Sequence, residues 1–277
     1  MSYFLFLAIF LGIPLAALGI ITITDLRQGR RLPEDLGHGS PWIYLLVLVI
    51  LAVGYTTPWD NYLVATGVWY YNPDLVTGVR LGWVPIEEYI FFVVQTLVAG
   101  LWLLFLARHF GSLLVPNAAA QPWKFPWRPV LILTGLWTFA ASLLASGWQP
   151  GTYLALILVW AIPPILLQVA YGGDLLWRRR RLVLTALISP TAYLAAADSL
   201  AIGSGTWTIA PDQSLNLHLG GVLPLEELIF FLVTNTLIVF GMVLMLSPQN
   251  QERVQSIRQK ASQLSRARIF RVLRKEN

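Results

Sequence analysis

The chain contains no cysteine, which excludes disulfides, thiolate nucleophiles and cysteine-built metal sites. Charge is scarce: 12% of the 277 residues are Asp, Glu, Lys or Arg, about half the share of a soluble domain. His38, His109 and His218 are scattered, with no His-x-x-x-His spacing, so no histidine metal centre is indicated. Lysine is limited to Lys124, Lys260 and Lys275, all outside the apolar runs, so a buried lysine that could carry a retinal Schiff base is absent. No Gly-x-Gly-x-x-Gly follows a strand and no P-loop occurs, so no dinucleotide or flavin fold is indicated. No cofactor and no metal are expected.

Apolar residues make up 56% of the chain, and they fall in blocks approaching the roughly 20 residues that cross a bilayer. Spans are predicted near 3–23, 42–60, 85–106, 129–147, 151–171, 181–202 and 222–246. The expected fold is an all-α integral membrane bundle of seven helices. The net charge of +5 is not a nucleic-acid footprint, because of where it sits. Basic residues follow the first span (Arg27, Arg30, Arg31), lie between the third and fourth (Arg108, Lys124, Arg128), lie between the fifth and sixth (Arg178 to Arg181), and crowd the tail. Of 19 basic residues only Arg80 falls in a connection of the other parity. The positive-inside rule then places the N-terminus outside the plasma membrane and the C-terminus in the cytoplasm. The first span lacks a basic leader and is too long for a signal sequence, so it is read as a mature helix.

The chain also repeats itself. Residues 85–92 read PIEEYIFF and 224–231 read PLEELIFF, with six of eight positions identical at a spacing of 139. Trp69 and Trp207, like Asp60 and Asp198, recur at 138. Pro14 in FLGIPLAAL resembles Pro163 in LVWAIPPILL. The expected organisation is a first three-helix repeat over 1–110, a linking helix within 111–150, a second three-helix repeat over 151–247 and a basic tail over 248–277. One intervening helix makes the copies parallel, related by an axis along the membrane normal. The connection before each PxEE segment carries a Pro-Asp turn signal between β-prone stretches, which predicts a short hairpin-like cap on the outer face in each half. In the tail, Val254, Ile257, Ala261 and Leu264 recur at helical spacing among basic and polar residues. That pattern fits either an amphipathic helix on the anionic leaflet or a plain topology-fixing tail.

The chemistry-bearing residues are Glu87, Glu88, Glu226 and Glu227, at the starts of the third and seventh spans. Proline followed by glutamates is a good helix start in any protein. Here, however, both pairs recur in an otherwise diverged repeat, and each is followed at once by Phe-Phe and a long apolar run. Ionisable groups at such depth are expensive and usually functional. Phe91 and Phe92 lie four residues after Glu87 and Glu88, as Phe230 and Phe231 do after Glu226 and Glu227. This spacing predicts a carboxyl group above an aromatic ring. Two neighbouring carboxyls in a dry site can share a proton, leaving one acid and one base, and aromatic faces such as Trp69 and Trp207 can stabilise a cation. Asp60, Asp198, Pro85 and Pro224 are read as supporting residues. Gln95 and Asn235, deeper on the same helices, are expected to pack between helices or to orient the glutamates. On residues alone, three readings stand: an acid–base enzyme acting on an apolar substrate, a proton-coupled transporter, and a binding protein without turnover.

The doubled PxEExxFF motif, carried by Pro85, Glu87, Glu88, Phe91 and Phe92 and by Pro224, Glu226, Glu227, Phe230 and Phe231, resembles that of the two-half lycopene cyclases of bacteria, archaea and fungi, in their fused form. The resemblance implies a redox-neutral, cofactor-free isomerisation within the bilayer. A linear carotenoid, lycopene, is protonated at C2, the C5–C6 double bond attacks the C1 cation, and loss of the C6 proton leaves a β-ring. It also implies association with membrane lipid and with other enzymes of carotenoid synthesis. Loss of a different proton would give an ε- or γ-ring, and capture by water would make the protein a hydratase.

Overall fold

The computed structural model describes residues 1–114, 125–249 and 253, so the expected amphipathic tail segment from Val254 to Leu264 lies outside the described residues. Among them, seven helices are long and apolar enough to cross a membrane, and the protein is a multi-pass membrane bundle. They are α1 (Tyr3–Arg27), α2 (Pro41–Ala65), α3 (Ile86–Leu114), α4 (Trp127–Ala145), α5 (Thr152–Arg178), α6 (Arg180–Gly203) and α7 (Leu225–Leu246). Each prediction lands on its helix, but several helices run past the predicted end. α1, for example, continues to Arg27, because a helix carries its charged last turn beyond the apolar core of the bilayer.

α3 and α7 form the centre and touch each other. α3 packs on α1, α2 and α6, and α7 packs on α5, α6 and α2. The linking helix α4 lies outside this group against α5, and Ala140 is its single buried residue. Large apolar side chains such as Ile20, Ile43, Ile132 and Leu167 are exposed on the outer faces. On a bundle of this length that surface faces lipid tails.

Two prolines shape the bundle. A proline inside a helix cannot donate to the carbonyl four residues earlier and crowds it. Before Pro14 the helix widens into a π-turn over Leu7–Gly12, and the freed Phe10 carbonyl accepts the Tyr193 hydroxyl of α6 at 3.0 Å. Pro164 likewise frees the Trp160 carbonyl, which accepts the Tyr55 hydroxyl of α2 at 2.8 Å. The two clasps match at a spacing of 150 for the carbonyls and 138 for the tyrosines. Pro14 therefore corresponds to Pro164 and not, as the sequence suggested, to Pro163.

Among the described residues, six short strands cap one end of the bundle. β2 (Arg80–Leu81) pairs with β3 (Val84–Pro85), and β5 (His218–Leu219) pairs with β6 (Leu223–Pro224). The first hairpin turns at Gly82 (φ 71°) and the second at Gly220 and Gly221 (φ 60° and 77°), a left-handed conformation that favours glycine. β1 (Trp69–Tyr71) and β4 (Trp207–Ile209) pair antiparallel with one another across the two halves, Trp69 opposite Ile209, Tyr70 opposite Thr208 and Tyr71 opposite Trp207. Pro85 and Pro224 end strands and directly precede the helices, Pro224 as the N-cap of α7, so each glutamate pair falls in the first turn of the helix that follows.

Candidate active site

Each pair of glutamates is divided by helix geometry. Neighbouring residues point about 100° apart, so one side chain faces the cap and the other faces the bundle interior. Glu87 accepts the Thr77 backbone N–H at 2.6 Å. Glu226 accepts the Leu215 N–H at 2.7 Å and the Ser214 hydroxyl at 3.0 Å. These two hold the loops down. Glu88 and Glu227 turn inward. All four are buried, at 0%, 3%, 0% and 2% exposure in chain order, so the protein itself withholds them from water.

Glu88 and Glu227 line one cavity together with Asp198. Its walls are aromatic: Tyr3, Phe6, Trp69, Tyr71, Phe91, Trp207, Phe230 and Phe231 all contribute. The cavity measures about 20 Å³, enough for about one water molecule. The Tyr3 hydroxyl donates to Glu88 at 2.5 Å and the Tyr71 hydroxyl donates to the same oxygen at 3.0 Å. Tyr153 donates to Glu227 at 2.7 Å. The Trp207 indole N–H donates to Asp198 at 3.0 Å, and the second oxygen of Asp198 has no partner among the described residues. Trp207 packs on Tyr3 at 4.8 Å between ring centroids, and Trp69 meets Tyr153 edge-on at 5.9 Å. Burial first, then the charges of Asp60 and Glu88, push the Tyr71 hydroxyl above its ordinary pKa, so this tyrosine stays a hydrogen-bond donor.

A larger apolar groove of about 230 Å³ adjoins this cavity between α2, α3, α5 and α7. Phe230 lines both. Beside the groove, Phe230 lies parallel to Trp59 at 5.8 Å, and Trp59 stacks on Trp160 at 4.5 Å. Gln95 bridges to Thr234 at 3.0 Å. These two residues are equivalents at a spacing of 139, so the bond ties the central helices together.

The remaining expected residues divide as follows. Phe91, Phe230, Phe231, Trp69 and Trp207 meet at the cavity, whereas Phe92 lines the groove. The ring that joins the inner glutamate in the first half is thus three residues along, Phe91 after Glu88, and not the fourth. Asp60 is buried, within electrostatic reach of Glu88, and neither of its oxygens has a partner among the described residues. Asn235 donates to Thr191 at 3.1 Å, binding α7 to α6 away from the cavity. Tyr3, Tyr71 and Tyr153, the donors to the inner glutamates, were not singled out as such from sequence. The spacing of 150 that joins Tyr3 to Tyr153 and Pro14 to Pro164 is the signal that finds two of them.

The lycopene cyclase family matches residues 33–106 and 150–245. A protein named lycopene beta-cyclase from Halobacterium salinarum is 38% identical over 245 residues, covering 88% of this chain and 95% of its own length. The bifunctional lycopene cyclase/phytoene synthase of Podospora anserina is 38% identical over 210 residues, 74% of this chain and 35% of that protein. Its namesake in Phaeosphaeria nodorum is 42% identical over 204 residues, 71% of this chain and 34% of that protein. No solved structure matches the chain.

Proposed function

The chain belongs to the lycopene cyclase family, and we infer from that membership that it is a lycopene β-cyclase, an isomerase that closes the linear ends of lycopene into β-rings. The observation that carries the chemistry is the meeting of Glu88 and Glu227, from helices 139 residues apart, in one aromatic-walled cavity where both carboxyl groups are buried. One carboxyl protonates C2 of the terminal double bond. The C5–C6 double bond attacks the resulting C1 cation, and a carboxylate removes the C6 proton. Such proton transfers by positioned groups each contribute about 10²–10⁴-fold. The cation passes against Phe91, Phe230, Phe231, Trp69 and Trp207, whose faces stabilise it by about 0.5–2 kcal/mol each. The polyene lies in the α2/α3/α5/α7 groove, and its end reaches the cavity past Phe230. Glu87 and Glu226, bonded to loop amides, hold the caps over the site.

The two halves are read as parallel copies, 1–110 and 151–247, joined by a linking segment over 111–150 and related by an axis along the membrane normal. Both inner glutamates sit at helix starts in one cavity, which supports α3 and α7 entering from the same side. The antiparallel β1–β4 pair centred on Tyr70 and Thr208 is the local twofold that such an axis produces. The capped end faces outward from the plasma membrane, with the C-terminus in the cytoplasm. Membrane lipid surrounds the chain, and enzymes that make or consume the carotenoid are the partners expected.

The test is expression of the full chain in a lycopene-making host, followed by pigment analysis. β-Carotene is the expected product. Persistent acyclic lycopene, hydroxylated ends or ε-rings from the unaltered chain would overturn the reading.

A further inference from the structure

The halves share one phenolic donor to the inner glutamate, Tyr3 or Tyr153, and differ in a second. Glu88 accepts two phenols, from Tyr3 at 2.5 Å and from Tyr71 at 3.0 Å. Glu227 accepts one, from Tyr153 at 2.7 Å. The second-half position that corresponds to Tyr71 is Ile209, at the same spacing of 138 that joins Trp69 to Trp207, and isoleucine has no donor. The indole N–H of Trp69 lies beside Glu227 and Tyr153 but meets neither with full hydrogen-bond geometry, so Glu227 has one well-formed donor. Donors aimed at a carboxylate favour its anion over the neutral acid. Both glutamates face the same cavity, so this difference bears on which of them starts a turnover as the acid.

We propose that Tyr71 is a positioning residue that makes the halves unequal, so that Glu227 donates the proton and Glu88, held by Tyr3 and Tyr71, removes one. The inference rests on the reading of Glu88 and Glu227 as the proton carriers. The step balances without a co-reactant. Glu227 gives its proton to C2, and the π pair of the terminal double bond forms the new C–H bond and leaves a cation at C1. The C5–C6 π pair forms the C1–C6 bond and moves the cation to C5. Glu88 takes the C6 proton, and the C–H pair becomes the ring double bond. The proton then returns from Glu88 to Glu227 across the shared cavity, restoring both groups.

The two arms predict different failures. A weaker acid slows the start of the reaction but leaves the product unchanged. A misplaced base leaves the C5 cation waiting, and protons are then lost from C4 or from the C5 methyl group, or water adds. The experiment compares Tyr71→Phe, Tyr3→Phe and Tyr153→Phe in membranes of a lycopene-making host, with Glu88→Gln and Glu227→Gln alongside. Pigments are separated and ring types counted per ring formed, so the reading does not depend on how much protein folds. Turnover in each phenylalanine variant is expected to fall about 10- to 100-fold, as for a lost hydrogen bond to a charged group. Tyr71→Phe and Tyr3→Phe should form ε-, γ- or hydroxylated ends beside β-ends, while Tyr153→Phe forms β-ends alone. If all three give β-ends only, or if Tyr153→Phe alone gives displaced double bonds, the assignment is overturned. If Glu88→Gln and Glu227→Gln both keep forming β-rings at the unaltered rate, the reading beneath it fails instead.

Discussion

The two halves carry the same proline–tyrosine clasp, yet the grooves beside those clasps differ. The groove between α2, α3, α5 and α7 shares Phe230 with the carboxylate cavity. Its counterpart between α1, α3 and α6 is larger, about 400 Å³, is lined by Pro14, Ala17, Trp102 and Tyr193 among others, and shares no residue with the cavity. Trp102 donates to Ser189 at 2.8 Å across this second groove, where the matching position in the other half is Gly241. The clasps recur because a proline always frees the carbonyl four residues back. Side chains that shape a cavity carry no such backbone requirement, so they are free to diverge. Segments that recur in sequence can therefore line one undivided cavity.

The strongest way to break the comparison is through the carboxylates. Glu88→Gln or Glu227→Gln should lower ring formation by about 10³-fold or more, read as lycopene persisting in the host, whereas Glu87→Gln and Glu226→Gln should keep most activity and loosen the caps. Equal losses at all four positions would mean that the outer pair also takes part in proton transfer. Next is the pair of grooves. Ala52→Trp fills the groove that joins the cavity and should cut turnover by about 10- to 100-fold, in line with roughly 1–3 kcal/mol of overpacking. Ala17→Trp, on its counterpart, should leave turnover within about threefold, since an outward-facing site has room to adjust. A large loss from Ala17→Trp would show that both grooves serve the reaction. Smaller again is the tryptophan contrast. Trp207→Phe leaves Asp198 without its donor and should cost roughly tenfold in turnover, while Trp69→Phe removes no well-formed hydrogen bond and should cost less. Michaelis analysis of membrane preparations separates the two. The smallest effect belongs to the clasps. Tyr55→Phe and Tyr193→Phe should each lower stability by about 1 kcal/mol, seen as a similar drop in thermal midpoint in detergent for both. A marked inequality would mean that the halves are not held by matching bonds.

Much of this protein is legible from its order of residues. Seven apolar runs are readable because bilayer thickness sets a minimum length that composition alone reveals. The glutamate pairs stand out because six of eight residues around them recur where the surrounding chain has drifted. What stays hidden is direction and distance. Adjacent glutamates look interchangeable in a string of letters, and the helix turn of about 100° alone sends Glu88 to the interior and Glu87 to a loop amide. Tyr3 lies 85 residues from the carboxylate that it binds, at the first turn of a helix whose neighbours in space are unknown until it packs. Trp69 and Tyr71 read as a β-prone loop, and the cross-half strand pair is what brings them to the cavity. The primary sequence thus determined the number of spans, the recurring motif and the carboxyl groups set at the helix starts, because lipid and helix impose their demands locally. Which carboxyl faces the cavity, which phenols hold it and which groove leads to it were decided by tertiary packing, because those relations join residues that no local rule connects.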